Sequence, residues 1–142
     1  MTAQSTTRWT ERDFDDLSWH DNSVHALRIL EGDHGTGRLI LDIDYILEWI
    51  RDGQGGFAFS IAPASLTFVS VFALKMTIDY AAATAAVTPF QIDGIERRQH
   101  GDTLVWRIPI NWPGGEISFE AVGFVLELTG PAIISNQQQL SR

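Results

Sequence analysis

The sequence predicts a mainly β protein: an antiparallel two-layer β-sandwich or open barrel of about seven or eight strands, with one or two short helical turns. Three observations predict this class. Long segments alternate between apolar and polar residues, short turn-forming segments separate them, and no helical stripe is long enough to cover a sheet. The whole chain, residues 1–142, is long enough to form a single domain with its own core.

Residues 1–18 are predicted to form an N-terminal arm with one short helical turn. Thr10 is a suitable N-cap, and the acidic residues Glu11 and Asp13 follow in the first turn, where the helix dipole favours negative charge. The arm lacks the apolar segment of a secretory signal, which predicts a cytoplasmic protein.

The first hairpin is predicted from two segments, Val24–Glu31 and Arg38–Trp49, which are joined by the glycine-rich residues 32–37. In the second strand the apolar residues share one face, and acidic residues occupy the other. The apolar face holds Leu39, Leu41, Ile43, Tyr45, Leu47 and Trp49, and the acidic face holds Asp42, Asp44 and Glu48. We therefore expect a half-buried strand with a solvated acidic row.

The longest alternation runs from Ala64 to Ile78 and predicts a strand with one buried face. Ser70 interrupts that face, which predicts a bend in the strand. The alanine-rich segment Ala81–Val87 is predicted to form a second short helical turn before Pro89.

Three strands are predicted in the C-terminal half, over Ile92–Gln99, Leu104–Ile110 and Glu116–Leu128. The apolar phase shifts at Gly123, as a glycine bulge requires. The polar residues 137–142 are predicted to be a frayed tail. The predicted core consists of Leu39, Leu41, Ile43, Leu66, Phe68, Phe72, Leu74, Trp106, Ile108, Phe119, Phe124 and Leu126.

Charge and composition exclude several function classes. The formal net charge is −8, and neither nucleic acid nor an anionic membrane attracts such a surface. The chain has no cysteine, which excludes a thiol nucleophile and a cysteine-ligated metal. Residues 1–52 carry a net charge of −6 and the remainder only −2, so the acidity is concentrated in the N-terminal part.

The densest group of chemically capable side chains lies in the first hairpin and just before it. If the hairpin brings them together, His20, His25, Asp42 and Asp44 are candidate ligands for one divalent metal. The candidate catalytic residues are His20, Asp21, Asp42 and Asp44. The spacing is equally typical of a tight loop followed by a solvated strand face.

Five tryptophans are many for a chain of this length and are candidates for a carbohydrate or peptide platform. Trp49 and Trp106 share the phase of aliphatic residues and are predicted to lie in the core. Trp9, Trp19 and Trp112 lie near the ends of predicted elements, so we expect them to be freer to line a surface.

Three segments carry a resemblance to known proteins: residues 17–22 (LSWHDN), 41–45 (LDIDY) and 63–68 (PASLTF). They resemble small uncharacterised bacterial β proteins, some of which are grouped with the immunity proteins of polymorphic-toxin systems. The resemblance implies a bacterial cytoplasmic β protein, and it supplies no catalytic residue.

Two functions are compatible with these features. The first is a non-enzymatic, immunity-like binding protein without a cofactor, which uses an acidic face to attract a basic protein partner. Its candidate binding residues are Trp19, Asp42, Asp44 and Glu48. The alternative is a small hydrolase that is metal-assisted or depends on the carboxylates named above. The lining of the main pocket distinguishes the two, because a hydrolase needs convergent polar groups there.

Overall fold

The computed structural model describes residues 7–51, 53–81 and 85–141. Within these ranges the protein has ten strands and one 3-10 helix, Glu11–Asp16. The strands are β1 (Arg8–Thr10), β2 (Asn22–Glu31), β3 (Gly37–Arg51), β4 (Phe57–Ile78), β5 (Phe90–Ile92), β6 (Glu96–His100), β7 (Thr103–Trp112), β8 (Gly115–Ala121), β9 (Gly123–Leu128) and β10 (Ile133–Ser135). The predicted mainly β, antiparallel class is confirmed.

The number of strands exceeds the prediction of about seven or eight because predicted strands are divided. The segment 92–99 contributes to both β5 and β6, and the segment 116–128 is divided into β8 and β9. The short strands β1 and β10 have too few residues for a periodic pattern.

The strands form one sheet in the order β1-β9-β4-β3-β2-β5-β7-β6, with β8 bonded to β4 and β7, and β10 bonded to β4. The long strand β4 organises this sheet. It pairs with β3 along one side, and with β10, β9 and β8 in turn along the other. The C-terminal residues therefore lie beside the β3–β4 pair.

Strand β4 bends at the predicted position. Ser70 and Ala73 have φ angles of 55° and 53°, and the strand changes partners there from β9 to β8. Because these left-handed residues reset the alternation, Val71 is buried and Phe72 is 40% exposed. The prediction of Phe72 in the core was wrong, and Leu74 is only partly buried.

Strands β8 and β9 are separated by Val122, whose N–H donates to the Val69 carbonyl oxygen at 3.2 Å. The chain turns here at the level of the bend in β4. The phase shift at Gly123 thus marks a corner between two strands, where a bulge within one strand was predicted.

The remaining predicted core residues are buried, and most of them have no exposed surface. Phe68 lies at the centre, with ring centroids 4.6 Å from Phe119, 5.3 Å from Trp106 and 5.6 Å from Phe124. Trp19 also belongs to this core, where it contacts Tyr45 and Phe124. The prediction of Trp19 as a surface binding residue was therefore wrong.

The N-terminal arm joins the sheet through β1, which pairs with β9, and it also packs on the sheet through its helix. Thr10 caps the helix as predicted, since its N–H donates to Asp13 and its hydroxyl accepts from the Arg12 N–H. The Arg97 guanidinium lies 4.7 Å from the centre of the Phe14 ring and donates to the Glu11 carbonyl. These contacts fix the arm to β6.

The predicted helical turn over Ala81–Val87 includes residues 82–84, which lie outside the described residues. Residues 85–87 are not helical. Among the described residues, no helix has the length and apolar character needed to span a membrane.

Candidate functional site

The candidate site residues of the sequence fall into two separate groups. In the first group, His25 contacts Asp44. In the second, His20 contacts both Asp21 and Asp93. Of these residues, only Asp93 was not a candidate from the sequence. Asp42 lines a separate depression with Ala26 and Arg28. Within the ranges that the structure describes, no three His, Asp or Glu side chains are grouped to hold a metal ion. The predicted convergence on one metal is not seen.

The His25–Asp44 pair lies beneath the C-terminal segment. A β-bulge places His25 outside the β2–β3 register, and its Nε2 lies 2.5 Å from Asp44 Oδ2. The same oxygen accepts the Leu140 N–H at 2.9 Å, and the Leu140 side chain packs against the buried residues Ile46, Phe59 and Ile61. Leu140 therefore packs on the sheet, and the fraying of residues 137–142 stays a prediction.

Ser23 lies next to this pair, because it is opposite Asp44 in the β2–β3 register. Its hydroxyl is buried, and no hydrogen-bond partner for it is found among the described residues. The hydroxyl thus does not bond to His25, so the three residues do not form the hydrogen-bonded relay of a serine hydrolase.

The predicted acidic row on β3 is interrupted. Asp44 has no exposed surface, Asp42 is half-buried, and Glu48 is exposed. The register shifts between Ile46 and Glu48, which moves Glu48 out of phase with the other two acids. The prediction of a solvated row of Asp42, Asp44 and Glu48 was wrong, because the chain beyond β10 covers its central residue.

Removing the Asp44 carboxylate is expected to loosen the C-terminal segment. Asp44→Ala leaves the Leu140 N–H and the His25 imidazole without their acceptor, at a cost of about 2 kcal/mol in the free energy of unfolding. Hydrogen exchange at the Leu140 amide should accelerate more than exchange in β7. Asp42→Ala is the matched control on the same strand. Equal protection of Leu140 in both variants would contradict the proposed anchoring.

The second group is centred on Asp21, which has a φ of 62° in the turn before β2. Its Oδ1 accepts from the Asn111 amide at 2.8 Å, and its Oδ2 accepts from the Gln138 amide at 3.2 Å. His20 Nε2 lies 3.3 Å from Asp21 Oδ2, and its Nδ1 lies 3.4 Å from Asp93 Oδ1. Both Asp21 oxygens are thus engaged, and they fix the start of β2 to β7 and to the C-terminal segment.

An open cleft of about 540 Å³ lies beside this group, and we call it the aromatic cleft. It is lined by Trp49, Phe57, Phe59, Gln91, Asn136, Gln137, Gln138 and Gln139. Trp49 is 38% exposed and Phe57 is 46% exposed. The His20 ring stacks on Trp49 with centroids 6.2 Å apart. The cleft therefore combines exposed aromatic rings with a rim of side-chain amides.

The sequence pattern placed Trp49 in the core, and this was wrong. Leu47 is the extra residue of a bulge, so that Trp49 lies opposite Phe59 and on the face of Ile46. Strict alternation cannot reveal a face change caused by an inserted residue. The one sequence signal at this site is the glutamine run 137–139, which contributes three of the amides in the rim.

Comparison with family models, with curated proteins and with solved structures found no match to this chain. The resemblance of three segments to small bacterial proteins therefore stays a prediction.

Proposed function

We propose that this chain is a non-enzymatic binding protein and that the aromatic cleft is its ligand site. One observation carries the proposal: Trp49 and Phe57 present exposed rings at 80° to each other in an open surface depression that glutamine and asparagine residues also line. Concave sites with apolar walls and a few polar groups are typical of ligand binding. Large exposed aromatic side chains are also enriched at interfaces.

The surroundings of the predicted catalytic carboxylates favour binding over hydrolysis. A general base must reach the proton that it removes, and Asp44 has no exposed surface. Both oxygens of Asp21 already accept hydrogen bonds from side-chain amides. None of the described residues that line the aromatic cleft is a carboxylate, and the His20 imidazole that stacks on Trp49 contacts Asp21 and Asp93. A binding role requires none of these groups to be free.

Affinity capture tests this function, because it does not require the chemical class of the ligand to be known beforehand. The wild-type protein, Trp49→Ala and Phe72→Ala are immobilised and exposed to an extract of the source cells. Phe72 is the matched control, because it is a similarly exposed aromatic residue that lines a different depression. We expect a protein or small molecule to be retained by the wild type and by Phe72→Ala, and to be lost from Trp49→Ala. Circular dichroism checks that all three proteins are folded.

The proposal fails if Trp49→Ala retains the same material as the wild type. It also fails if the three folded proteins retain nothing above the background of an empty support.

A further inference from the structure

We infer that the ligand of the aromatic cleft is a neutral saccharide, an inference that rests on the proposed function. The first observation is the charge of the lining. In a chain of net charge −8, the described residues that line this cleft carry no formal charge. A charged ligand would lose water there without gaining a partner of opposite charge in the lining, and this desolvation is costly. The cleft therefore favours an uncharged ligand.

The second observation is the geometry of the aromatic rings. The Phe57 ring lies 5.9 Å from Trp49 at 80°, and the Phe59 ring lies 4.8 Å from Trp49 at 84°. Phe59 is buried and holds the indole in place, while Phe57 forms an exposed neighbouring wall. A pyranose ring has an apolar face of C–H groups that can pack flat against an indole. A fixed indole reduces the entropic cost of such packing.

The third observation is the chemistry of the rim. Five residues with side-chain amides line the cleft: Gln91, Asn136, Gln137, Gln138 and Gln139. Each side-chain amide can both donate and accept hydrogen bonds, and so can each sugar hydroxyl group. Gln138 is held by Asp21, which is itself bonded to Asn111, so part of this rim is positioned before any ligand arrives. Amides above an aromatic wall match a ring of hydroxyl groups.

A basic peptide is the competing ligand, because carboxylates lie just beyond the cleft. Asp21 and Asp93 are near Trp49, and both contact His20. A cationic side chain attracted by these groups would bind more weakly at high salt, because salt screens exposed charges. Binding of a neutral saccharide should be nearly independent of salt. Ionic strength therefore separates the two ligands.

The test uses the full chain labelled with ¹⁵N, and it follows the indole N–H signals of the tryptophans. The Trp49 signal is assigned by its absence in Trp49→Phe. The probes are glucose, N-acetylglucosamine, cellobiose, maltose and a lysine-rich peptide, each titrated at low and at high salt. We expect at least one saccharide to shift the Trp49 signal with an affinity that salt leaves unchanged.

Three variants assign the binding to the cleft. Trp49→Ala lacks the indole signal, so its binding is followed by the ¹⁵N backbone amide signals of residues 136–139; saccharide binding should weaken about tenfold or more, the loss expected when an aromatic stacking surface is removed. The double variant Gln137→Ala, Gln139→Ala changes two exposed rim residues and should also weaken it, so the test does not depend on folding of the Trp49 variant. Phe72→Ala should bind like the wild type.

The saccharide inference is overturned if no saccharide shifts the Trp49 signal, or if the cleft variants bind a saccharide as well as the wild type does. A salt-sensitive shift with the basic peptide alone would also overturn it, yet would leave the proposed function standing. The proposed function itself is decided by the capture experiment, so the two failures are distinguishable.

Discussion

Replacing Gly115 with alanine is expected to lower the free energy of unfolding by about 3 kcal/mol or more. Gly115 begins β8 and pairs with Ile78 of β4 and with Ile110 of β7. Its φ is 133°, and an added Cβ would overlap the carbonyl oxygen of Thr77 and lie 2.8 Å from the carbonyl carbon. This oxygen belongs to the backbone of a paired strand, so it cannot move aside as a flexible side chain can. The β4–β8 pairing must open instead.

Gly114→Ala is the matched control, because it tests backbone strain without the overlap. Gly114 has a φ of 127°, and an added Cβ would meet no atom of the described residues within 4 Å. Urea denaturation measures the free energy of unfolding of both variants. The difference between their losses of stability is the cost of the overlap with Thr77, without the cost of the unusual φ. Equal losses of stability in the two variants would contradict the overlap as the main cause.

The core could be predicted from the sequence because alternation is a property of each strand alone. Leu41, Leu66 and Phe68 are buried as predicted, since each lies in a stretch of regular backbone. Phe72 and Trp49 were misplaced for the same physical reason. Each follows an irregularity, the left-handed Ser70 in one strand and the bulge at Leu47 in the other. An irregular residue reverses the face of the residues that follow it until the next irregularity, such as Ala73 in β4.

The candidate site was predicted only in part. The hairpin correctly suggested that His25 and Asp44 approach each other, because their strands are adjacent in the chain. Burial of Asp44 depends on Leu140, which lies 96 positions further along the chain. The aromatic cleft likewise joins β3, β4 and β5 with residues 136–139. No periodic pattern reports such distant contacts.

Two bulges shape the candidate sites. The bulge at His25 brings its imidazole to Asp44, and the bulge at Leu47 turns Trp49 from the core to the cleft. Bulges commonly redirect a side chain next to a functional site.

Phe68→Ala is the second change with a large expected effect, a loss of about 3–5 kcal/mol in the free energy of unfolding. Phe68 has no exposed surface, and its ring contacts Trp106, Phe119 and Phe124. These residues belong to β7, β8 and β9, so the ring connects β4 to three other strands. Truncation leaves a cavity that the surrounding rings, fixed in paired strands, can only partly fill.

The exposed Phe72 lies four residues further along the same strand and provides the control. Because a large part of its ring already contacts water, Phe72→Ala should cost far less than Phe68→Ala. Chemical denaturation, followed by tryptophan fluorescence, measures both losses, and Trp106 reports directly on the cavity because its ring contacts Phe68. A loss below about 1 kcal/mol for Phe68→Ala would mean that the cavity collapses, which close packing between paired strands does not allow.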